Sequence, residues 1–252
     1  MVELPYLETP GGHRLAYLPE PWVTPSLLTV LEGHEYPPLP FESFAPRVIF
    51  DIGAHLGAAA LFFAERYPGA AIHCFEPNPD TLAVLRHNAA ALDRITVHGH
   101  GLGARARVAE LFGGVYSTMQ TSFLPNQENT QPVATVPIEE VAGVLERIPL
   151  SAPALVKLDT EGMELEILDG FGDHLSSIGV LYVEYHSDAD RRAIDARLGT
   201  GFTLFHASVA EPDRGVLGYV STGLLETLRV ATLRSPEPVA RFAWPKPAPR
   251  WS

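Results

Sequence analysis

Residues 47–57 read Arg47-Val48-Ile49-Phe50-Asp51-Ile52-Gly53-Ala54-His55-Leu56-Gly57, and this stretch decides the fold. The unbroken apolar run predicts a buried strand over 47–51, because a strand covered on both faces has no polar alternation. Gly53 and Gly57 let the backbone turn tightly and lie close to a ligand. A helical pattern follows over 57–67 and stops at Pro68-Gly69. Residues 71–76 form a second predicted strand, 78 or 79 to about 92 a helix, and 95–98 a third strand. Alternation of this kind specifies an α/β fold with a mostly parallel sheet and helices on both faces.

The pattern continues to the C-terminal side. An extra strand is predicted at 107–112, then a long polar loop at 113–132, the kind of loop that often carries function. Residues 133–136 read as extended and 138–145 as helical. A strand at 154–159, a helix at 163–171, a strand at 178–184 and a helix at 188–198 come next. Segments 202–206 and 216–220 read as a closing antiparallel pair. Residues 1–46 form a Pro-containing lead-in with one hairpin, where Gly11-Gly12 turns 4–7 towards 14–18, and this lead-in is a candidate lid. Residues 47–234 are then the main domain and 235–252 a Pro-rich tail. Trp22, Trp244 and Trp251 lie in these ends, where packing is the default role.

Composition narrows the function. The chain has 252 residues, of which 46% are hydrophobic and 19% charged, enough apolar content for a sizeable core. Its formal net charge of −12 repels a phosphate backbone, so nucleic acid is not an expected partner. No apolar run is long enough to span a bilayer, and the first residues lack a secretory pattern. The single cysteine, Cys74, has no internal disulfide partner, and the expected compartment is the cytoplasm.

Ligands of open α/β sheets bind beyond the carboxyl ends of the strands. The glycine turn stands at such an end, and both dinucleotides and S-adenosylmethionine use this corner. Dinucleotide sites favour G-x-G-x-x-G, whereas His55 occupies the second glycine position. Asp51 would repel a pyrophosphate and attract the ammonium of a bound methionine moiety. Glu76 closes the second strand, where a carboxylate accepts ribose hydroxyls of either cofactor. A plain glycine turn beside solvated acids is the competing reading.

A second cluster is Leu155-Val156-Lys157-Leu158-Asp159-Thr160-Glu161-Gly162-Met163-Glu164. Lys157 and Asp159 alternate with apolar residues and so share one face of the strand. Glu161 and Gly162 form the turn. Glu164 opens a helix, where an acid suits the positive end of the dipole, so a structural role for it is as well supported as a catalytic one.

Taken together, Phe50 to Gly57, Phe75-Glu76-Pro77-Asn78-Pro79, Asn88, and Val156 to Glu164 resemble the FkbM family of S-adenosylmethionine-dependent methyltransferases over about residues 47–185. The resemblance implies a Rossmann-like seven-stranded methyltransferase sheet with an antiparallel last strand. It also implies methyl transfer to a hydroxyl, in natural-product tailoring or on sugars. It places Asp51, Gly53, Ala54 and Gly57 at the methionine part of the cofactor, with His55 a further cofactor-binding candidate in the same turn, Glu76 and Pro77 at the ribose, and Gly101 and Leu102 near the adenine.

Methyl transfer is an in-line displacement, and an alcohol acceptor benefits from a base or metal as its proton leaves. Asp159, Glu161, Glu184 and His186 stand at the ends of the later strands, with Lys157 beside them. A neutral imidazole at His186 would suit a general base. No compact metal-ligand spacing is present, so a divalent metal is not favoured; if one binds, Asp159, Glu184 and His186 are the expected ligands. Glu35 and Tyr36 precede the first domain strand and are candidates to fold over the cofactor. The expected partner is a small hydroxylated metabolite. An amine or carboxyl acceptor, a nicotinamide-dependent oxidoreductase, and a non-catalytic binding module are the alternatives, and the oligomeric state is not legible.

Overall fold

The computed structural model describes residues 4–41, 43–113, 118, 121–123 and 131–234. Parts of the loop at 113–132, and the tail with Trp244 and Trp251, lie outside the described residues. The lead-in hairpin pairs β1 (Tyr6–Glu8) with β2 (Arg14–Ala16). It is followed by α1 (Val23–Leu31), which the lead-in's prolines mask in the sequence. Val23, Leu27, Val30 and Leu31 are its buried residues, spaced as one helical face. Pro25 sits in the first turn, where a missing N–H costs nothing.

The main sheet begins with β3 (Val48–Ile52), followed by α2 (Ala58–Arg66), β4 (Ala71–Phe75), α3 (Pro79–Ala89) and β5 (Ile95–His98). Next come the short β6 (Gly101–Gly103), β7 (Arg107–Gly113) and β8 (Gln131–Glu140), then α4 (Val141–Arg147). The chain returns through β9 (Ala154–Leu158), α5 (Glu164–Phe171), β10 (Ile178–Tyr185) and α6 (Asp188–Leu198). It closes with β11 (Phe202–Glu211), β12 (Arg214–Ser221) and α7 (Thr222–Arg234).

Seven strands form one sheet in the order β11-β12-β10-β9-β3-β4-β5. The run from β10 through β9, β3 and β4 to β5 is parallel, and β12 is antiparallel to both neighbours. The expected seven-stranded, mostly parallel sheet with an antiparallel last strand is therefore present. A second sheet, β6-β8-β7, stands beside it.

Two apolar clusters lie on opposite faces of the main sheet. Ile49 and Leu155 pack with α1, α2 and α3, whereas their neighbours Phe50 and Val156 pack with α4, α5 and α6. The twofold alternation of strand side chains thus feeds both layers. Cys74 is a free, buried member of the first cluster.

Two boundaries differ from expectation. Residues 138–140 belong to β8, since Val136 and Ile138 continue a period of two into the core, and the helix begins only at Val141. The closing hairpin is longer than the segments 202–206 and 216–220. Trp22 does not pack: it is 81% exposed and caps α1 from a left-handed backbone. No helix among the described residues is long and apolar enough to cross a membrane.

Candidate active site

The glycine turn runs from the end of β3 across the end of β4. Gly53 and Ala54 both donate their N–H to the Phe75 carbonyl. Gly53, His55 and Gly57 all have positive φ, at 78°, 49° and 91°. Gly53 packs so closely on β9 that a Cβ there would lie 1.7 Å from the Asp159 carbonyl oxygen. Only glycine fits. Asn88 pins the same loop from below: its Nδ2 donates to the carbonyls of Leu56 at 2.8 Å and Ala16 at 2.9 Å, and its Oδ1 accepts from the Ala16 N–H.

Glu76 lies at the foot of the turn. Its Oε2 accepts from the His55 N–H at 2.7 Å and its Oε1 from the Asn78 N–H at 2.9 Å. Burial raises its pKa, and those two amides oppose the rise. The Asn78 side chain in turn caps α3 through the Asp80 N–H. The glycine turn and the second-strand acid are thus one hydrogen-bonded unit.

Lys157 is the hub beneath this unit. Its Nζ donates to the Gly53 carbonyl at 2.6 Å and lies 3.2 Å from both Asp51 Oδ1 and Asp159 Oδ2. Asp51 and Lys157 are register partners on adjacent strands. Burial alone would lower the lysine pKa, but Asp159 and Asp51 outweigh it and hold it raised. Burial likewise raises Asp51, against the pull of Lys157. The carboxyl of Asp159 is opposed by burial but held low by Lys157, and the Tyr36 hydroxyl donates to its Oδ2 at 3.2 Å.

The next turn is closed by Glu164, whose Oε1 accepts from the N–H and hydroxyl of Thr160 and whose Oε2 accepts from the Gly162 N–H. This clasp is structural. It holds Glu161 in a left-handed backbone at φ 54°, and the Ser122 hydroxyl secures the Glu161 carbonyl. A non-glycine residue in that region costs about 1–2 kcal/mol. The turn aims Glu161 at His186, whose Nε2 lies 3.0 Å from Glu161 Oε2 and 3.2 Å from Glu184 Oε2.

An open cleft of about 870 Å³, counted with the solvent at its mouth, connects these parts. Of the expected cofactor residues, Gly53, His55, Glu76, Pro77, Gly101, Leu102 and Glu35 line it. Of the expected catalytic residues, Asp159, Glu161 and Glu184 do.

Several expectations need correction. Asp51 is 0% exposed and faces Lys157, so its carboxylate does not border the cleft. Ala54, Gly57, Tyr36 and Lys157 are likewise buried and outside the lining of the cleft. His186 is not a ready base: burial would lower its pKa, but Glu161 and Glu184 beside it push it up to about 11. The metal-capable group among the described residues is Glu161, Glu184 and His186, not one containing Asp159, whose carboxylate is shared among Lys157, Tyr36 and Glu184.

Sequence reasoning missed Asn78, Phe123 and Met163 on the wall, whereas the polar loop it singles out does bring Thr118 and Thr121 there. Asn78 carried a signal as the N-cap before Pro79. Phe123 carried none, because its place depends on how the polar loop folds back.

His55 gives a pH test. Burial lowers its pKa from 6.5 to about 4, while its Nε2 lies 3.0 Å from Thr118 Oγ1. The folded protein keeps this imidazole neutral, so the unfolded chain takes up the proton first as pH falls. The stabilisation is complete above pH 6.5 and is lost towards pH 4. Urea titrations at pH 7 and pH 5 should show wild type losing more stability than His55→Asn, which tolerates the left-handed backbone. Equal losses would refute this placement.

Comparison with known proteins agrees with the geometry. Residues 51–209 match the model of the methyltransferase FkbM domain. The chain belongs to the FkbM methyltransferase family. It is 31% identical over 170 residues to the hexuronic acid methyltransferase AglP of Haloferax volcanii, a match covering 62% of this chain and 65% of AglP. It therefore spans slightly less than two thirds of that relative's length. It is 28% identical over 198 residues to the 31-O-demethyl-FK506 methyltransferase FkbM of Streptomyces tacrolimicus, covering 66% of this chain and 75% of that protein. The crystal structure of an FkbM methyltransferase from Methylobacillus flagellatus superposes with a TM-score of 0.54 at 18% identity, covering 81% of this chain and 56% of that one. This likeness supports the fold.

Proposed function

We propose that this FkbM-family chain is an S-adenosylmethionine-dependent O-methyltransferase acting on a hydroxyl of a small polar metabolite, a sugar or a tailored natural product. The observation that carries the reading is the charge of the cleft. Its described wall bears Glu35, Glu76, Asp159, Glu161 and Glu184 and no lysine or arginine. Such a wall attracts a sulfonium and an ammonium and repels a pyrophosphate, which disfavours a nicotinamide dinucleotide. Gly53 and the glycine turn fit close backbone approach to the methionine part, and Glu76, already braced by two amides, has lone pairs left for ribose hydroxyls. The apolar wall of Leu102, Phe123 and Met163 suits a flat purine. The acids that greet the ammonium in this reading are Glu35 and Asp159, not Asp51.

When bound, the cofactor supplies an electrophilic methyl group and its leaving group. The chain's own work is to orient the acceptor and receive its proton. Asp159, kept ionised by Lys157, is placed to accept a hydrogen bond from a hydroxyl. Glu184 is raised well above the usual carboxylate range by burial and by the Asp159 charge, so of the two its carboxylate is the stronger base and the one to take the hydroxyl proton. A carboxylate acceptor would be repelled by this wall. An amine would be held there as its ammonium, without a free electron pair. A hydroxyl meets neither obstacle.

Calorimetry with S-adenosylmethionine and a turnover assay over hydroxyl, carboxyl and amine acceptors test the proposal. Binding with methylation of hydroxylated compounds alone is expected. Glu76→Ala should weaken cofactor binding by about 10- to 100-fold, since hydrogen bonds to a charged group are worth about 1.5–3 kcal/mol each. Unchanged affinity would remove Glu76 from the ribose site, and tighter binding of NAD than of S-adenosylmethionine would overturn the whole reading.

A further inference from the structure

We infer that Glu161, Glu184 and His186 form a divalent-cation site at the acceptor end of the cleft. The inference deepens the proposed methyl transfer and rests on that reading only for its purpose.

The geometry of the three donors carries it. One ligand atom from each residue lies within 4.8 Å of the others. His186 Nε2 is 3.0 Å from Glu161 Oε2 and 3.2 Å from Glu184 Oε2. Octahedral ligands about 2.1 Å from a small cation stand about 3 Å apart when adjacent. The approaches are this close, and Glu184 Oε2 and His186 Nε2 are shut off from solvent, facing each other as an ion pair with Glu161 beside them. A divalent ion in this gap would take over from the imidazolium proton as the counter-charge of the two carboxylates. The other ring nitrogen, Nδ1, faces Glu164 Oε2 at 4.0 Å, so a carboxylate stands behind the imidazole as it does behind many metal-bound histidines.

Charge and origin agree with this. An ion entering here would displace the imidazolium proton of His186, after which two carboxylates and a neutral imidazole match the charge of a divalent ion, and an O/O/N donor set suits magnesium or manganese. Glu161 reaches the cluster only through its left-handed turn, and Glu184 and His186 bracket the end of β10. Glu161 and Glu184 line the cleft whereas His186 does not, so coordination positions left open lie towards the acceptor. An ion there would lower the pKa of a coordinated hydroxyl, a task for which the low-pKa Asp159 is poorly suited.

The test is an electron paramagnetic resonance titration of the full chain with Mn²⁺ in the absence of cofactor, which reads free ion directly. One saturable site per chain is expected. Glu161→Gln and His186→Ala should each weaken it by about tenfold or more, with circular dichroism checking the fold. Glu161→Gln, on a surface turn, remains informative if His186→Ala does not fold. Asp169→Asn, which breaks only the exposed pair with Arg197, should bind Mn²⁺ as wild type does. Absence of a saturable site up to about 1 mM, the weak end for oxygen-rich sites, would overturn the inference. So would variants that bind as tightly as wild type, since the ion would then sit elsewhere. A chain that binds S-adenosylmethionine but no Mn²⁺ sinks this site alone, whereas one that binds Mn²⁺ but no S-adenosylmethionine sinks the methyltransferase reading alone.

Discussion

Gly53→Ala should weaken S-adenosylmethionine binding at least about 100-fold and remove detectable turnover, a loss above about 2.7 kcal/mol. Two independent obstacles meet at this residue. Its φ of 78° is unfavourable to any side chain, and the added Cβ would lie 1.7 Å from the carbonyl oxygen and 2.7 Å from the carbonyl carbon of Asp159. Both atoms are backbone, so no rotamer change relieves the overlap. Either the glycine turn lifts away or the end of β9 moves. In the first case the Gly53 carbonyl leaves Lys157; in the second Asp159 leaves the cleft wall. Gly12→Ala is the control: it has a similar φ of 83° but nothing within 4 Å of the new Cβ, so it suffers backbone strain alone, about 1 kcal/mol. Calorimetry of both variants, with urea unfolding alongside, separates the two terms. Near-native cofactor affinity in Gly53→Ala would mean that the turn is not the cofactor cradle.

Lys157→Met should cost about 3–5 kcal/mol of stability, because it leaves a buried charge uncompensated. For a domain of this size that lowers Tm by roughly 10 °C. Asp51 is fully buried, and Lys157 is its ion partner at 3.2 Å. Burial already raises the Asp51 pKa, and loss of the lysine raises it further. A carboxyl with a raised folded pKa contributes stability at low pH that is lost as pH rises through that pKa. The penalty of Lys157→Met should therefore be greatest at neutral pH and shrink on acidification. Adding Asp51→Asn should restore much of the loss at pH 7. If the double variant is no more stable than the single one, the pair is not what holds this corner together.

The two variants probe features that differ in how far the sequence reveals them. Gly53 is legible because its demand is local: a strand, a reversal and a helix within eleven residues require a backbone that only glycine adopts easily. The same holds for Glu76, whose place at the end of β4 follows from the apolar run before it. Helix α1 is legible in principle, since Val23, Leu27, Val30 and Leu31 keep the helical spacing, but Pro25 within it and the prolines before it hide that spacing. The alternation of Lys157 and Asp159 with apolar residues puts both on one face at the end of β9. Nothing in that alternation said that Lys157 would be sealed under the turn with Asp51 beside it.

His186 shows the same limit from the opposite side. A histidine after a strand reads as a base of ordinary pKa. Its protonation is set instead by Glu161 and Glu184, 25 and 2 residues away in the chain but 3.0 and 3.2 Å away in space. Glu35, from the lead-in, reaches the cleft because the segment after α1 packs Tyr36 against Phe63 and Tyr182.

By itself the sequence determined the alternation of parallel strands and helices from β3 to α6, the glycine turn and the acids at the strand ends, because these follow from side-chain period and backbone freedom within a few residues. Tertiary structure alone decided which acids face the cleft, which one is neutralised by Lys157, and which three donors meet around His186. The reason is physical: burial and charge pairing depend on distances between strands, and those are set by sheet order and register rather than by neighbours along the chain.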